Sequence, residues 1–324
     1  MLFHIMGKYM SNINMIPLPW RNYILQLPML AETVQWELLR KWGLSEVWRV
    51  TTRNGATWIA KKSRGSMAAE LSIYQEVLLP LHAPRPQLHS YWLGASEHLF
   101  ILEDVGLNTL EQQPQTEHFL ESARVLARLR CAALVQLQDA DAGRFENYCI
   151  SADYYIQALD YLLQCDELET GKKEVLQAVK RWLPDQLHEL YSQLPLTLCH
   201  NDYHVKNLVI SDDTIVPVDW AMAYLSPYLG DLYSLVHAAA FRKVETQLML
   251  QAYEAEVKHW AATYPSVRPM LSRPLEWQIA LGAVCILITS IRWTLTEAMY
   301  ELPETKKWIP AMIRNIDQYA QKIS

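Results

Sequence analysis

Glycine is scarce in this chain: 10 of 324 residues are glycine, less than half of the usual share of about 7%. No two glycines lie closer than ten positions, the nearest pair being Gly55 and Gly65. This spacing excludes the G-x-G-x-x-G fingerprint of dinucleotide-binding folds and the phosphate loop G-x-x-x-x-G-K-[ST]. It also excludes the G-x-S-x-G nucleophile elbow. Any nucleotide site here must therefore work without a glycine-rich cradle.

Paired cysteines and excess positive charge are also lacking. The five cysteines are odd in number and scattered, and no C-x-x-C occurs. They indicate reduced thiols rather than a disulfide framework or a zinc site. There are 29 basic and 35 acidic residues, a net charge of −6. The basic stripe of a nucleic-acid-binding protein is absent, so we expect no nucleic-acid partner.

The hydrophobic runs are too short to cross a membrane. The longest, Ile279–Ile291, contains Thr289 and Ser290 and predicts a buried helix. Residues 1–19, which we interpret as an N-terminal extension, carry no clean signal peptide, because Lys8 interrupts the apolar stretch and no small-residue cleavage site follows. The sequence therefore predicts a cytoplasmic protein with no membrane partner.

The length of the chain and its pattern of strand-like and helical segments predict two lobes. The chain is 51% hydrophobic, and its length suits two domains or one domain with two lobes. Residues 20–105 have strand-like segments around one helix, and residues 106–324 are mainly helical apart from a short β region. We predict an α+β protein with a small β-rich N-lobe and a large C-lobe. The predicted strands are 47–51, 57–60, 88–92 and 98–102, with a β region at 197–219; the predicted helices are 66–81, 116–137, 152–164 and 169–191, with helix from 230 onward.

One polar loop stands out between two apolar segments of the β region. It holds Asp202 and Asn207, and Asp219 follows twelve residues after Asn207. Pairing of the two short strands in between would bring Asn207 and Asp219 together. Amide and carboxylate oxygens suit Mg²⁺, which usually keeps water and phosphate oxygens as its other ligands. Asp202 would then be free to accept a proton from a hydroxyl group.

The pattern H-x-D-x-x-x-x-N followed by Asp resembles the catalytic loop and metal-binding Asp of kinases. The variant His-Asn-Asp-Tyr-His at 200–204, with Asp219-Trp220, is similar to the aminoglycoside phosphotransferase and choline kinase-like family. Further pieces follow the family's order. They are a third-strand segment ending in lysine (58–62), a helix carrying Glu70, a hinge segment (99–106) and a later Gly230-Asp231 pair.

The resemblance implies a bilobal protein kinase-like fold and a phosphotransferase that uses ATP, or alternatively GTP, together with Mg²⁺. The γ-phosphoryl group would pass to a hydroxyl of a small-molecule acceptor such as an aminoglycoside, a choline-like compound or another metabolite. Asp202 would be the catalytic base. Asn207 and Asp219 would hold Mg²⁺.

The remaining implied contacts belong to the nucleotide. Lys61, paired with Glu70, would bind phosphates, with help from the Ser45 hydroxyl. Lys62 is the alternative lysine, because neighbouring strand residues point to opposite faces; we favour Lys61. Backbone groups near Glu103 and Val105 would bind adenine.

Two positions depart from the family pattern. Glu46 lies beside the turn expected to hold phosphates, which is unfavourable unless its side chain points away or pairs with a cation. Asn201 stands where glycine is usual.

Two alternatives remain open at this stage. His200, Asp202 and His204 could form a metal triad of a zinc hydrolase, or the fold could be a catalytically silent scaffold. The acceptor also remains open between a cluster of carboxylates for amines and an aromatic cage for a quaternary ammonium. The carboxylate candidates are Asp153, Asp160, Asp166, Glu167 and Glu169, and the aromatic candidates are Tyr154, Tyr155, Trp220, Tyr224 and Trp293.

Overall fold

The structure is a computed structural model that describes residues 15–139, 143–212 and 214–323. Most of the predicted N-terminal extension, residues 1–14, lies outside the described residues. The predicted α+β organisation is confirmed, because a five-stranded antiparallel sheet precedes a part that is mainly helical.

The sheet of the N-lobe has the order β1-β2-β3-β5-β4. All four predicted strands are present, and the strand predicted at 57–60 continues to Arg64, so that it includes both Lys61 and Lys62. The strands are β1 (Thr33–Trp42), β2 (Ser45–Thr52), β3 (Thr57–Arg64), β4 (Leu88–Leu93) and β5 (Glu97–Glu103).

Apolar side chains cover both faces of this sheet. Residues 16–30, which include the short helix α1 (Leu18–Arg21), pack on the outer face, where Trp20 and Leu30 are fully buried with Val50 and Ala60. Phe100 lies in a second cluster on the opposite face, together with the helical segment that follows β3. The sheet is therefore a middle layer, and alternate residues of β3 reach different environments.

The helical segment after β3 is less regular than the single helix predicted over 66–81. A 3₁₀ turn (Gly65–Ala68) leads into the α-helix α2 (Ala69–Ile73), and a π turn (Tyr74–Leu78) follows. The Leu79 N–H donates to the Tyr74 carbonyl, five residues back, at 3.0 Å. Such π turns are frequent at functional sites, and this one follows the turn that holds Glu70.

The C-lobe contains the predicted helices with one correction. The helical pattern predicted over 169–191 is two helices, separated at residues 181 and 182, because Pro184 lacks an N–H and suits the first turn of a new helix. The helices are α3 (Thr116–Asp139), α4 (Ala152–Gln164), α5 (Thr170–Lys180), α6 (Leu183–Gln193), α7 (Gly230–Phe241), α8 (Thr246–Thr263), α9 (Leu275–Trp293), α10 (Met299–Glu301) and α11 (Ile309–Ala320).

Helix α9 is the central helix of this lobe and contains the apolar run predicted to be buried. By length and composition the continuous stretch Leu275–Glu301 could cross a membrane, but 78% of its most apolar 18-residue window is buried inside the protein. It packs against α4, α7 and α11. Its burial is that of a core helix.

Two small sheets make up the predicted β region and position the polar loop. Strand β6 (Thr197–Cys199) pairs with β9 (Tyr224–Ser226), which the sequence analysis did not predict. Strands β7 (Leu208–Ser211) and β8 (Thr214–Pro217) form a hairpin. The polar loop joins β6 to β7, and Asp219 follows β8.

Candidate active site

The polar loop is held from below by one buried carboxylate. Asp231, in the first turn of α7, accepts hydrogen bonds from the backbone N–H groups of His200 at 2.7 Å and Asn201 at 2.8 Å. Its side chain is fully buried, and burial raises its pKa to about 6. Two short backbone contacts therefore determine where the loop begins.

Asn201 explains how this loop forms without the usual glycine. Its φ is +61°, a left-handed conformation that Asn tolerates better than most residues. Its side-chain carbonyl accepts hydrogen bonds from the hydroxyls of Tyr224 (3.1 Å) and Tyr228 (2.5 Å). Asn201 therefore adopts the left-handed backbone conformation that glycine usually provides, and its side-chain amide anchors the loop to two tyrosines.

His200 is a structural residue of the loop. Its Nε2 donates to the Val218 carbonyl at 3.1 Å, and its Nδ1 accepts from the Asp202 N–H at 3.3 Å. Its ring lies 4.3 Å from that of Trp220, and burial lowers its pKa to about 3. Because both ring nitrogens have partners, the triad of the zinc hydrolase alternative does not assemble. Within residues 15–139, 143–212 and 214–323, no cluster of three His, Cys, Asp or Glu could hold a metal ion.

Asp202 is partly exposed to solvent, with 39% of its side chain accessible. The Asn207 amide donates to its Oδ2 at 2.7 Å, and His204 Nε2 lies 3.3 Å from its Oδ1. The surrounding protein withdraws the carboxyl from bulk water and raises its pKa to about 6, although His204 and Asn207 oppose the rise. A carboxylate of this kind suits proton acceptance near neutral pH.

Asp219 is the meeting point of the two lobes. It follows β8 with a φ of +65°, and its two oxygens bind Lys61 Nζ at 2.7 Å and Arg40 Nη1 at 3.0 Å. Burial alone would raise its pKa, but Lys61 and Arg40 outweigh that effect and lower it to about 2. The carboxylate therefore stays ionised across the physiological range.

Lys61 lies under the sheet between two carboxylates. It forms a close ion pair with Glu70 of α2 in addition to its contact with Asp219. Burial lowers its pKa, but Asp219 and Glu70 more than compensate and raise it. Glu70 in turn accepts from the Trp220 N–H at 3.2 Å. Strand β3, helix α2 and the residues after β8 are thus tied together by charged contacts.

Lys62 and Glu46 lie on the opposite face of the sheet. The Lys62 ammonium is 6.0 Å from the Trp20 ring centroid and 3.8 Å from Glu46. Glu46 accepts from the indole N–H groups of Trp20 (2.8 Å) and Trp48 (2.6 Å), and Lys41 lies 3.3 Å away. The conflict raised by an acidic residue near phosphates is therefore absent, because Glu46 points away and is paired with cations.

Ser45 lies at the start of β2, directly after the turn formed by Gly43 and Leu44. It pairs with Ser63 of β3, which places it on the same face as Lys61 two positions along the strand. Its side chain is buried.

The hinge after β5 has a defined shape. Asp104 accepts from Arg49 Nε at 2.6 Å and from the Gly106 N–H at 3.1 Å, and Gly106 adopts a φ of +101°. The side chain of Glu103 accepts from the Gln87 N–H at 3.0 Å. The Val105 N–H has no hydrogen-bond partner among the described residues, so it is available to a ligand.

The oxygen donors that the sequence assigned to a metal lie in one place. The Val218 N–H donates to the Asn207 carbonyl at 2.9 Å, which sets Asn207 beside the segment that carries Asp219. The Asn207 amide nitrogen is committed to Asp202, so its side-chain oxygen is left for another partner. An ionised carboxylate and an amide oxygen are donors that Mg²⁺ accepts, and the residues therefore fit this ion.

Arg40 and its contact with Asp219 escaped the sequence analysis. Arg40 is 179 positions from Asp219 and lies in a strand with no recognisable motif, so no local signal could have revealed it. Arg130 is a structural residue, because its guanidinium donates to the carbonyls of Tyr228 (2.8 Å) and Pro227 (3.1 Å).

The residues proposed for an acceptor site are largely used by the protein itself. Asp160 pairs with Lys180 at 2.5 Å. Trp220 and Tyr155 are fully buried. The structure does not gather the five aromatic candidates into one cage. Other candidates with internal partners are Glu169 (Lys172), Glu167 (Cys165), Tyr224 (Asn201), Tyr154 (Arg292) and Trp293 (Trp42).

Solved structures share this architecture. A choline/ethanolamine kinase family protein from Mesorhizobium loti superposes with a TM-score of 0.62 at 13% identity, covering 93% of each chain. An amicoumacin kinase in complex with AMP-PNP, Ca²⁺ and the compound Ami gives 0.55 at 13% identity, covering 98% of this chain and 96% of that one. An aminoglycoside phosphotransferase from Streptomyces rimosus, in complex with ADP and streptomycin, gives 0.50 at 16% identity, covering 78% and 99%. The predicted kinase-like fold is thereby confirmed.

No curated protein matches the sequence. Residues 38–270, however, match the phosphotransferase enzyme family. This range holds β2 to β5, the polar loop, Asp219 and Asp231, and spans most of the chain. The chain therefore belongs to the phosphotransferase enzyme family and is an enzyme of the small-molecule kinase type.

Proposed function

We propose that this enzyme transfers the γ-phosphoryl group of ATP, in complex with Mg²⁺, to a hydroxyl group of a small molecule. The observation that carries the proposal is a cluster of polar groups. Lys61 and Asp219 are in contact at 2.7 Å, and Asn207 is hydrogen bonded to Asp202 at 2.7 Å. A buried cation, an ionised carboxylate and a carboxylate with a raised pKa are the groups that phosphoryl transfer needs.

Each group has a distinct task in this proposal. Lys61, oriented by Glu70, binds phosphate oxygens. Asn207 and Asp219 hold Mg²⁺, which neutralises phosphate charge when bound. Asp202 orients the acceptor hydroxyl and accepts its proton. Catalysis comes mainly from positioning and from charge stabilisation, because the transferred group needs little covalent help from the protein.

The base of the nucleotide would bind at the hinge. The free N–H of Val105 and the backbone beside Glu103 offer hydrogen bonds to a purine edge, and the sharp turn at Gly106 leads the chain away from that edge. GTP is the alternative donor. Ser45 lies at the phosphate end, on the same face as Lys61.

The acceptor would bind over the C-lobe, facing Asp202. A quaternary ammonium has no free cage among the predicted aromatic residues, because Tyr155, Trp220 and Tyr224 are buried. The Arg292 guanidinium lies 5.9 Å from the ring centroid of Tyr154. This arrangement disfavours choline-like acceptors and leaves other hydroxyl-bearing metabolites.

The five cysteines are free thiols, which supports a reducing, cytoplasmic site of action.

A catalytically silent scaffold is the second candidate, and one experiment separates it from an enzyme. We expect Mg·ADP to raise the melting temperature of the protein. We also expect the enzyme to produce ADP from ATP when it is assayed with a panel of hydroxyl compounds that includes its acceptor. Asp202→Asn should keep Mg·ADP binding but lose roughly 10²- to 10⁴-fold in kcat, the usual contribution of a general base.

The control for this experiment is Asp317→Asn, an exposed carboxylate on α11 that is remote from the loop in sequence. Absence of any thermal shift with ATP, ADP or GTP would refute the proposal. Nucleotide binding without turnover on any acceptor, and without an effect of Asp202→Asn on a slow ATP hydrolysis, would favour the scaffold.

A further inference from the structure

The turn between β1 and β2 is too short to surround phosphate groups. Trp42 pairs with Ser45, so the turn consists of Gly43 and Leu44 alone. Arg64 binds its outer side, donating through its backbone N–H to the Leu44 carbonyl at 2.9 Å. A Cβ on Gly43 would overlap the carboxylate of Glu301. A two-residue turn beside a carboxylate offers few donors to a triphosphate, so the charge of the phosphates needs another partner.

Arg40 is positioned for that task by an irregularity of the sheet. The register of β1 against β2 shifts between Leu38, which pairs with Trp48, and Arg40, which pairs with Val47. Leu39 is the extra residue. Bulges of this kind redirect side chains and are frequent beside active sites. Without it Arg40 would pair with Glu46, on the face opposite to Lys61.

The bulge places Arg40 on the same face of the sheet as Lys61. Val47 is the cross-strand partner of both Arg40 and Lys61, and the two cations contact the two oxygens of the same carboxylate, Asp219. They therefore lie close enough to bind neighbouring oxygens of one phosphate chain. The Arg40 side chain is 55% exposed, so it can move to a ligand without breaking a core.

We propose that Arg40 is a phosphate-binding residue of the nucleotide site. Its guanidinium contacts Asp219 in the free protein and moves to phosphate oxygens when Asp219 takes up a metal ion. A guanidinium makes paired hydrogen bonds to phosphate, and it supplies the contacts that the short turn lacks. The inference rests on the proposed function, because it presupposes a nucleotide in this cleft.

Calorimetric titration of Arg40→Gln with ADP and with adenosine, each in the presence of Mg²⁺, tests the proposal. Charge-assisted hydrogen bonds are worth about 1.5–3 kcal/mol, so ADP should bind roughly 10- to 100-fold more weakly. Adenosine, which has no phosphate, should bind as it does to the wild type. Arg40→Lys should recover part of the affinity, since it keeps the charge but loses the paired geometry.

Lys41→Gln is the matched control. Lys41 is the next residue of the same strand, is 58% exposed, and contacts Glu46 on the other face. It should leave ADP binding unchanged. Equal or tighter ADP binding by Arg40→Gln would overturn the inference, as would an equal loss for adenosine. A wild type that binds neither compound would instead refute the proposed function and the inference with it.

Discussion

At the scale of the residue, two carboxylates of the site have opposite environments. Asp219 is flanked by Lys61 and Arg40, and its pKa is lowered to about 2. Asp202 lies beside His204 and the Asn207 amide, which lower its pKa, but withdrawal from water, together with the nearby Asp219, raises the pKa to about 6. Environments that separate two pKa values in this way divide the roles of the groups. In the proposed function, Asp219 would be the permanent anion that holds a metal ion, and Asp202 would be the group that accepts a proton.

This difference predicts an acid limit to catalysis. Asp202 must be ionised to accept a proton, so kcat/KM should fall about tenfold per pH unit below a pH of about 6. Because His204 lowers the pKa of Asp202, His204→Asn should move this limit to higher pH. A pH profile of each protein, measured with saturating Mg·ATP and varied acceptor, checks the position of the acid limit and its displacement in His204→Asn. An acid limit near pH 4 in both proteins would contradict the assignment of Asp202.

At the scale of the element, successive side chains of strand β2 point to opposite faces of the sheet, so that one face belongs to the candidate site and the other to the apolar outer layer. Val47 and Ser45 face the cleft, whereas Glu46 faces the cluster that contains Trp20. The two indole N–H groups and two lysines around Glu46 lower its pKa despite burial. An acidic residue beside the phosphate turn is thus an anchor for the outer layer of the sheet rather than a part of the site.

Glu46→Ala should therefore destabilise the protein without affecting the nucleotide site. The substitution leaves the indole N–H of Trp20 buried without an acceptor, and an unsatisfied donor costs about 1–3 kcal/mol. We expect the free energy of unfolding to fall by about 2–4 kcal/mol when the bond to Trp48 is included. Denaturant titration measures this loss. Glu37→Ala, at an exposed position of β1, should change stability by less than about 0.5 kcal/mol.

Mg·ADP affinity separates the two explanations for Glu46. An unchanged affinity of folded Glu46→Ala is expected, because the side chain points away from Lys61. Tighter Mg·ADP binding together with unchanged stability would show instead that Glu46 repels phosphates from the turn.

At the scale of the whole molecule, the central helix of the C-lobe approaches the base of the polar loop closely at a glycine. A Cβ on Gly282 of α9 would lie 2.5 Å from the Leu229 carbonyl carbon and 2.7 Å from the Gly230 nitrogen. Those residues lead into α7, whose Asp231 holds the loop that carries Asp202. One close approach between α9 and the start of α7 therefore connects the core to the active site.

Gly282→Ala should lower both stability and activity. The neighbours are backbone atoms that cannot rotate away, and overpacking of a core costs about 1–3 kcal/mol. The same substitution at Gly171, which is exposed in the first turn of α5 with nothing within 4 Å of the added Cβ, should stabilise the protein by at most about 1 kcal/mol. Thermal unfolding and turnover of both variants check this. Wild-type activity in Gly282→Ala would show that the helix contact does not position the loop.

The sequence by itself determined the fold class, the order of most elements and the polar loop with Asp202, Asn207 and Asp219. These features arise from local patterns: hydrophobic periodicity, turn residues and a motif of a few residues on each side of a hairpin. Its scarcity of glycine correctly excluded the glycine-rich nucleotide folds, and it left open how Asn201 and the short β1–β2 turn would serve in place of glycine.

Only the tertiary structure decided which charged groups meet. The contact of Arg40 with Asp219, the outward direction of Glu46 and the pairing of β9 with β6 depend on strand register and on segments far apart in sequence. A single inserted residue in a strand reverses the face of every side chain after it, and local composition carries no signal of such a shift. The charge balance of the site, and the second cation in it, were therefore determined by packing.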